Sequence, residues 1–108
     1  MSDNKKVAVL GGGSFGTVLA NLAASNGFEV KLWVRDADQA LRINSEGTNT
    51  TYHPELKLSD NITASEDLGS VVMDVIYIFV ATPSIIFAEV IKRLHPLISS
   101  VSAVLSCT

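Results

Sequence analysis

The sequence predicts an α/β fold, a single parallel sheet with helices packed on both of its faces. Three observations carry that expectation. Apolar runs at 7–10, 30–34 and 75–81 have the length and composition of strands buried on both sides. Segments with helical apolar spacing separate them, with capping and turn residues at the junctions. The elements alternate as β-α-β-α-β-α-β-α-β, and right-handed crossovers then give a doubly wound sheet in the order 3-2-1-4-5.

The first strand, Val7-Ala8-Val9-Leu10, runs into Gly11-x-Gly13-x-x-Gly16. This is the strand–turn–helix context that a dinucleotide-binding glycine motif requires. Each glycine then has a physical task. Gly11 makes the tight turn, Gly13 lets a pyrophosphate approach bare backbone, and Gly16 lets helix and strand pack closely. The helix that opens at Ser14 offers unpaired N–H groups and a positive dipole end to phosphates. It is expected over 14–26, with Phe15, Val18, Leu19, Leu22 and Ala23 as its apolar set and Asn26-Gly27 as its stop.

The second strand is expected over 30–34, with Lys31 at an exposed position near its start. Arg35-Asp36 stands at its carboxyl end, nearly twenty residues beyond Gly16. There an NAD site places an acid on the ribose 2′-hydroxyl and an NADP site places an arginine. Asp36 reads more readily as the N-cap of the next helix, with Gln39 completing a capping box, than as a ribose ligand. Arg35 is left at the strand tip as the residue facing the adenosine. The second helix is expected over 37–44 with Ala40, Leu41 and Ile43 inward. No clean periodicity follows over 45–60, and such long connections are often functional. Tyr52 in Tyr52-His53-Pro54 fits either the adenine side of the site or a place pinned under its own loop. His53 has no partner that would make it a base.

A third strand follows at 61–64. Ser65 then caps a helix with Glu66 and Asp67 in its first turn, where acids suit the dipole. The run 75–81 is apolar throughout and reads as a central fourth strand. Thr82-Pro83-Ser84 turns into a helix that ends with Lys92, Arg93 and His95 before Pro96, which gives His95 a structural explanation. A fifth strand is expected over 102–107. Ligand belongs at the carboxyl edge of the sheet between strands 1 and 4, flanked by the glycine turn and by residues 82–84.

Composition bounds the rest. The chain has 108 residues, is 47% hydrophobic and carries a formal charge of −3. It is one domain at most, able to build a core, and offers no basic field for nucleic acid. Cys107 is the single cysteine. It cannot form an internal disulfide, which fits a reducing compartment and a cytoplasmic protein. The apolar stretch before Gly11 is too short for a signal peptide, and the run 71–81, broken by Asp74, is too short to cross a membrane. Nothing in the sequence suggests a metal site. Because the chain stops directly after a strand-like run, residues 1–108 are expected to be the N-terminal, nucleotide-binding part of a longer protein.

Gly-Gly-Gly-Ser-Phe-Gly-Thr-Val-Leu-Ala at 11–20, Leu32-Trp33-Val34-Arg35-Asp36, Tyr52-His53-Pro54 and Ala81-Thr82-Pro83-Ser84 together resemble the bacterial NAD(P)-dependent glycerol-3-phosphate dehydrogenases. The resemblance spans essentially the whole chain. It implies a Rossmann domain followed by a helical substrate domain, with NAD or NADP as cofactor and NADP tolerated or favoured. The implied reaction interconverts dihydroxyacetone phosphate and sn-glycerol 3-phosphate, feeding glycerophospholipid synthesis. A homodimer is one assembly open to the parent enzyme. Ser14, Phe15 and Arg35 would contact the cofactor, with Tyr52 a weaker candidate. Phe15 stands where the family often has tryptophan or tyrosine, and His53 replaces a leucine. The family's Lys-Gly pair, which carries the general acid/base, would begin beyond Thr108, so no catalytic residue is expected within the chain and the chain alone is expected to be inactive. Two other readings stay open. One is the cofactor domain of a 2-hydroxyacid or ketopantoate reductase type of dehydrogenase; the other is a non-catalytic NAD-sensing module.

Overall fold

Each apolar run becomes a strand. β1 (Lys6–Leu10), β2 (Glu29–Trp33), β3 (Ile62–Ser65), β4 (Tyr77–Val80) and β5 (Ala103–Ser106) form one sheet in the expected order β3-β2-β1-β4-β5. All of its pairings are parallel. The computed structural model describes residues 5–11, 13–47, 57–58, 60–81, 92 and 103–106. The helices bounded within them are α1 (Ser14–Ser25), α2 (Ala37–Glu46) and α3 (Leu68–Val71). The loop with Tyr52, His53 and Pro54, the turn at 82–84, the helix expected after it with His95, and Cys107 lie outside the described residues.

Alternation along the strands sends side chains to two separate cores. Val7, Val9, Val30, Leu32 and Val34 face α1 and α2, where Ala20, Ala24, Ala40 and Ile43 meet them. Ala8, Leu10, Trp33, Ile78 and Val80 face the other way, against Leu68 and Val71 of α3. Crossovers of one hand explain the division. The chain moves outward from β1 to β3 and then back across to β4, so its connections fall on opposite faces.

The face that α1 buries is not the expected one. Phe15, Val18 and Leu22 are 55%, 45% and 58% exposed, while Leu19 and Ala23 only flank the core. The buried stripe is Gly16, Thr17, Ala20 and Ala24. The helix lies so close to the sheet that only small residues fit between them, and the large apolar residues are left outside. Its end is as expected. Gly27 has φ 94, its N–H reaches the Ala24 carbonyl at 3.1 Å, and the Phe28 N–H reaches that of Ala23 at 3.3 Å, a Schellman motif.

α2 begins where Asp36 accepts a hydrogen bond from the Asp38 N–H, and it runs two residues past the expected end, to Gly47 at φ 73. Ala40 and Ile43 are buried, but Leu41 is 66% exposed. One residue on from Ala40 is about 100° round the helix, and that turn carries Leu41 away from Ile43 to the solvent side. After β3 the expected cap at Ser65 is also corrected. Ser65 stays paired with Trp33 in the sheet, and its hydroxyl accepts from the Asp67 N–H at 3.0 Å. The helix therefore starts later, with Asp67 as its N-cap, and makes a single turn. Lys31 is half-buried instead of exposed. Its ammonium lies 3.4 Å and 3.3 Å from the Ser70 and Met73 carbonyls, where a cation suits a helix end.

Two further side chains fasten backbone. The buried Trp33 donates its indole N–H to the Glu66 carbonyl at 3.0 Å, fixing the bend after β3. Asn44 of α2 donates to the Ala64 carbonyl and accepts from the Ala64 N–H, each at 2.8 Å. β3 is an edge strand, so these bonds complete groups that a further strand would otherwise pair. Asn44→Ala should lower stability by about 1–2 kcal/mol, the net worth of two such hydrogen bonds at a solvent-accessible edge. Urea unfolding followed by Trp33 fluorescence measures it, and an unchanged midpoint would show that water replaces the amide without cost.

Candidate functional site

The described candidate residues stand at the carboxyl edge of the sheet, after β1 and β2. The Gly11 N–H continues the ladder to the Trp33 carbonyl at 2.9 Å, and on the other side the Leu10 carbonyl accepts from Ala81 N–H, also at 2.9 Å. Held from both sides, the chain turns at Gly11 with φ 127, a conformation that L side chains rarely adopt. A Cβ on Gly16 would overlap the Gly11 carbonyl oxygen and lie 3.6 Å from the Ala81 Cβ. Gly11 and Gly16 are thus glycine for reasons inside the protein, one conformational and one steric.

Gly13 has neither reason. It is the N-cap of α1, extended at φ −78 and ψ −169, and a Cβ there would meet nothing within 4 Å. It contributes no side-chain cap, and the first turn of α1 holds no acid. Gly13 thus brings no side chain to the N–H groups that open this helix, a place that favours an anion. α2 differs, because Asp36 caps it and Asp38 stands in its first turn. The Asp36 carboxylate is therefore engaged as the expected cap.

Arg35 is exposed. Leu10 pairs with Trp33, so Arg35 follows β2 at the same edge where Gly11 follows β1. Phe15 lies exposed at the start of α1, and the backbone of Ser14 forms its first residue. Tyr52 lies outside the described residues. Thr17 is a residue of this turn that the sequence expectations do not include. It is fully buried, and both its N–H and its hydroxyl donate to the Gly13 carbonyl, at 3.0 Å and 2.7 Å. The available signal was its place four residues after Gly13, the spacing at which a threonine hydroxyl bonds back to a helix carbonyl.

Among the described residues no group of His, Cys, Asp and Glu is arranged to hold a metal, and no helix is long and apolar enough to cross a membrane. A concavity of about 130 Å³ on the α3 side is lined in part by Glu29, Lys31, Thr63, Ser65 and Ser70, and it shares no residue with the glycine turn.

A family model described as the NAD-dependent glycerol-3-phosphate dehydrogenase N-terminus matches residues 6–108. The glycerol-3-phosphate dehydrogenase (NAD(P)+) of Teredinibacter turnerae is 44% identical over 108 residues, covering 100% of this chain and 32% of that protein. The crystal structure of glycerol-3-phosphate dehydrogenase from Coxiella burnetii superposes with a TM-score of 0.89 at 34% identity, covering 95% of this chain and 32% of that one. The enzyme of the same name from Saccharomyces cerevisiae gives 0.88 at 29% identity, with 97% and 33% covered. The chain thus spans about a third of the length of the curated relatives it matches.

The different reasons for the glycines separate in stability. Gly13→Ala should change the unfolding free energy by no more than about 0.5 kcal/mol, as a substitution into open space at a permitted conformation. Gly16→Ala forces α1 off the turn and should cost roughly 1–3 kcal/mol, the range for overpacking a close contact. Parallel urea titrations compare them; equal losses would mean that the seat of α1 does not depend on Gly16.

Proposed function

The chain belongs to the NAD-dependent glycerol-3-phosphate dehydrogenase family, and on that premise we propose that it forms the part of such an enzyme that holds NAD or NADP. The observation that carries this reading is Gly13. It leaves open space at the head of a helix whose N-cap has no side chain, with no demand of the fold to explain that absence. A pyrophosphate fits such a cradle, because bare backbone admits it closely and the first amides of α1 donate to it with the helix dipole behind them.

Each residue then has a distinct part. Gly11 turns the chain away from the sheet, and Gly16 seats α1 so that its amino end stands beside the strand end. Gly13 and the Ser14 amide receive the phosphates, and Phe15 supplies an apolar wall at the helix start. Arg35 serves the adenosine side, where a 2′-phosphate would find a cation and the Asp36 carboxylate is already engaged in capping α2. Tyr52 is carried as a further contact on the adenine side. When bound, the nicotinamide gives or takes the hydride.

For the whole enzyme we infer reduction of dihydroxyacetone phosphate to sn-glycerol 3-phosphate and its reverse, in the cytoplasm, in the service of glycerophospholipid synthesis. A homodimer is consistent with that role. Residues 1–108 are read as one nucleotide-binding domain, with the proton donor and the clamp for substrate phosphate supplied by a substrate domain. The family match does not favour the reductase and sensing-module alternatives.

Trp33 is the single tryptophan, and its carbonyl bonds the Gly11 amide, so its fluorescence reports directly on the turn. Gly13→Val should fold normally and weaken NADH binding by roughly tenfold or more, the loss of at least one phosphate contact. Binding equal to that of the unmodified chain would remove the phosphates from Gly13.

Cofactor choice tests Arg35 separately. Arg35→Asp should weaken NADPH by about tenfold, the lower part of the charge-assisted range because the guanidinium is exposed, and leave NADH within about twofold. Equal losses for both cofactors would place Arg35 away from the 2′ position.

A further inference from the structure

Thr17 offers an observation that the reading of the site does not use. Among the described residues it is the polar side chain that is fully buried, at 0% exposure. It lies on the face of α1 that meets the sheet, beside Gly16, whose own contact is the Gly11 carbonyl. Its hydroxyl donates to the Gly13 carbonyl at 2.7 Å and its N–H donates to the same oxygen at 3.0 Å. A helix needs only the second of these bonds. The first adds a second donor to one carbonyl, so both lone pairs of that oxygen are engaged.

The consequence reaches the far side of the peptide. The Gly13 carbonyl and the Ser14 N–H belong to one planar unit, and no peptide bond in the described chain is cis. In a trans peptide the two groups point in opposite directions. With the carbonyl held down the axis of α1 toward Thr17, the Ser14 N–H is held outward from the helix's amino end. Gly13 has no side chain of its own to restrain this plane. A donor bonded to the carbonyl also polarises the peptide and makes its N–H a stronger donor.

We propose that Thr17 is a positioning residue for the cofactor phosphates: its hydroxyl fixes and polarises the Gly13–Ser14 peptide, whose N–H receives them. This rests on the reading of the chain as a dinucleotide-binding domain. Thr17 touches no ligand itself and acts through that peptide.

The test separates hydroxyl from shape. Thr17→Val keeps the branched side chain and removes the hydroxyl, Thr17→Ala removes both, and Thr17→Ser keeps the hydroxyl. The ligands are NADH, ADP as a pyrophosphate without nicotinamide, and adenosine without phosphate. Losing one polarised hydrogen bond should raise Kd for NADH and for ADP by about three- to tenfold in the valine and alanine variants. Thr17→Ser should bind within about twofold of the unmodified chain, and adenosine should be held equally by all variants. In the ligand-free protein the Ser14 amide resonance should shift in the variants without a hydroxyl and return in the serine variant. A merely structural role would weaken all ligands alike, or would leave the folded fraction binding normally.

If the valine and alanine variants bind NADH as well as the unmodified chain, the proposal falls while the cofactor reading stands. Thr17→Ser losing as much as Thr17→Val, or adenosine weakening in parallel with ADP, would also overturn it. If valine and alanine do not fold, the serine variant decides, by keeping or losing both the Kd for ADP and the Ser14 resonance. If the unmodified chain binds neither NADH nor ADP, the cofactor reading fails first and takes this proposal with it.

Discussion

The approach of α1 to the sheet depends on one contact, Gly16 against the carbonyl of Gly11. With no Cβ in the way, helix backbone meets strand-end backbone directly, and the helix sits lower than an ordinary side chain would allow. Its depth then decides what can line its inner face. Thr17, Ala20 and Ala24 fit there, whereas Phe15, Val18 and Leu22 are carried outward on the same turns. The end of β4 joins the same contact, since the Ala81 Cβ lies 3.6 Å from where a Gly16 Cβ would be. One missing side chain therefore brings the turn after β1, the head of α1 and the tip of β4 to a single point. That point stands at the carboxyl edge of the sheet, the edge at which doubly wound folds take their ligands.

Around this point the remaining backbone is tied by side chains, each meeting a group that the sheet or a helix leaves unpaired. Asn44 completes the outer side of β3, Trp33 takes the Glu66 carbonyl, and Lys31 lies at the end of α3. Unpaired backbone polar groups are costly away from water, so these ties have energetic meaning beyond geometry. They also hold β3 and β2 together up to their carboxyl ends, where Trp33 pairs with Ser65 and Val34 N–H reaches the Ser65 carbonyl. The residue that follows is Arg35. Its position beside the glycine turn is inherited from strand register, with no bond of its own required.

What was legible in the sequence divides along a physical line. Strands buried on both faces need apolar residues at every position, so their runs announced themselves, and crossover handedness turned them into the right sheet order. The glycine turn was legible because strand, glycines and helix occur in the one order that the geometry permits. The inner face of α1 is not legible in that way, because apolar bulk marks burial at ordinary packing distance, whereas a close approach favours smallness. Leu41 is equally apolar, yet it lies on the solvent side of α2. Ser65 read as a cap from its neighbours Glu66 and Asp67, but sheet pairing claimed it first. Thr17 and Asn44 are harder to read, because their partners are backbone groups, Gly13 in the same turn and Ala64 twenty residues on. No residue-type pattern signals the second of these.

Among the described residues, the two longer helices differ at their amino ends, and on the proposed reading that contrast connects stability to cofactor choice. α2 is satisfied by its own Asp36, whose carboxylate accepts from the Asp38 N–H. α1 begins at a glycine, which brings no side chain to its first amides. A carboxylate spent on a helix cap is directed into that helix, and it keeps its negative charge close to amides that attract it. It is then poorly placed to exclude a 2′-phosphate from the adenosine side, and the residue beside it is a cation. Had the acid stood one position earlier, at the strand tip, it would have repelled that phosphate directly. Acceptance of NADP would thus follow from where α2 begins, and moving the start of that helix by a single residue would exchange which charge meets the ribose.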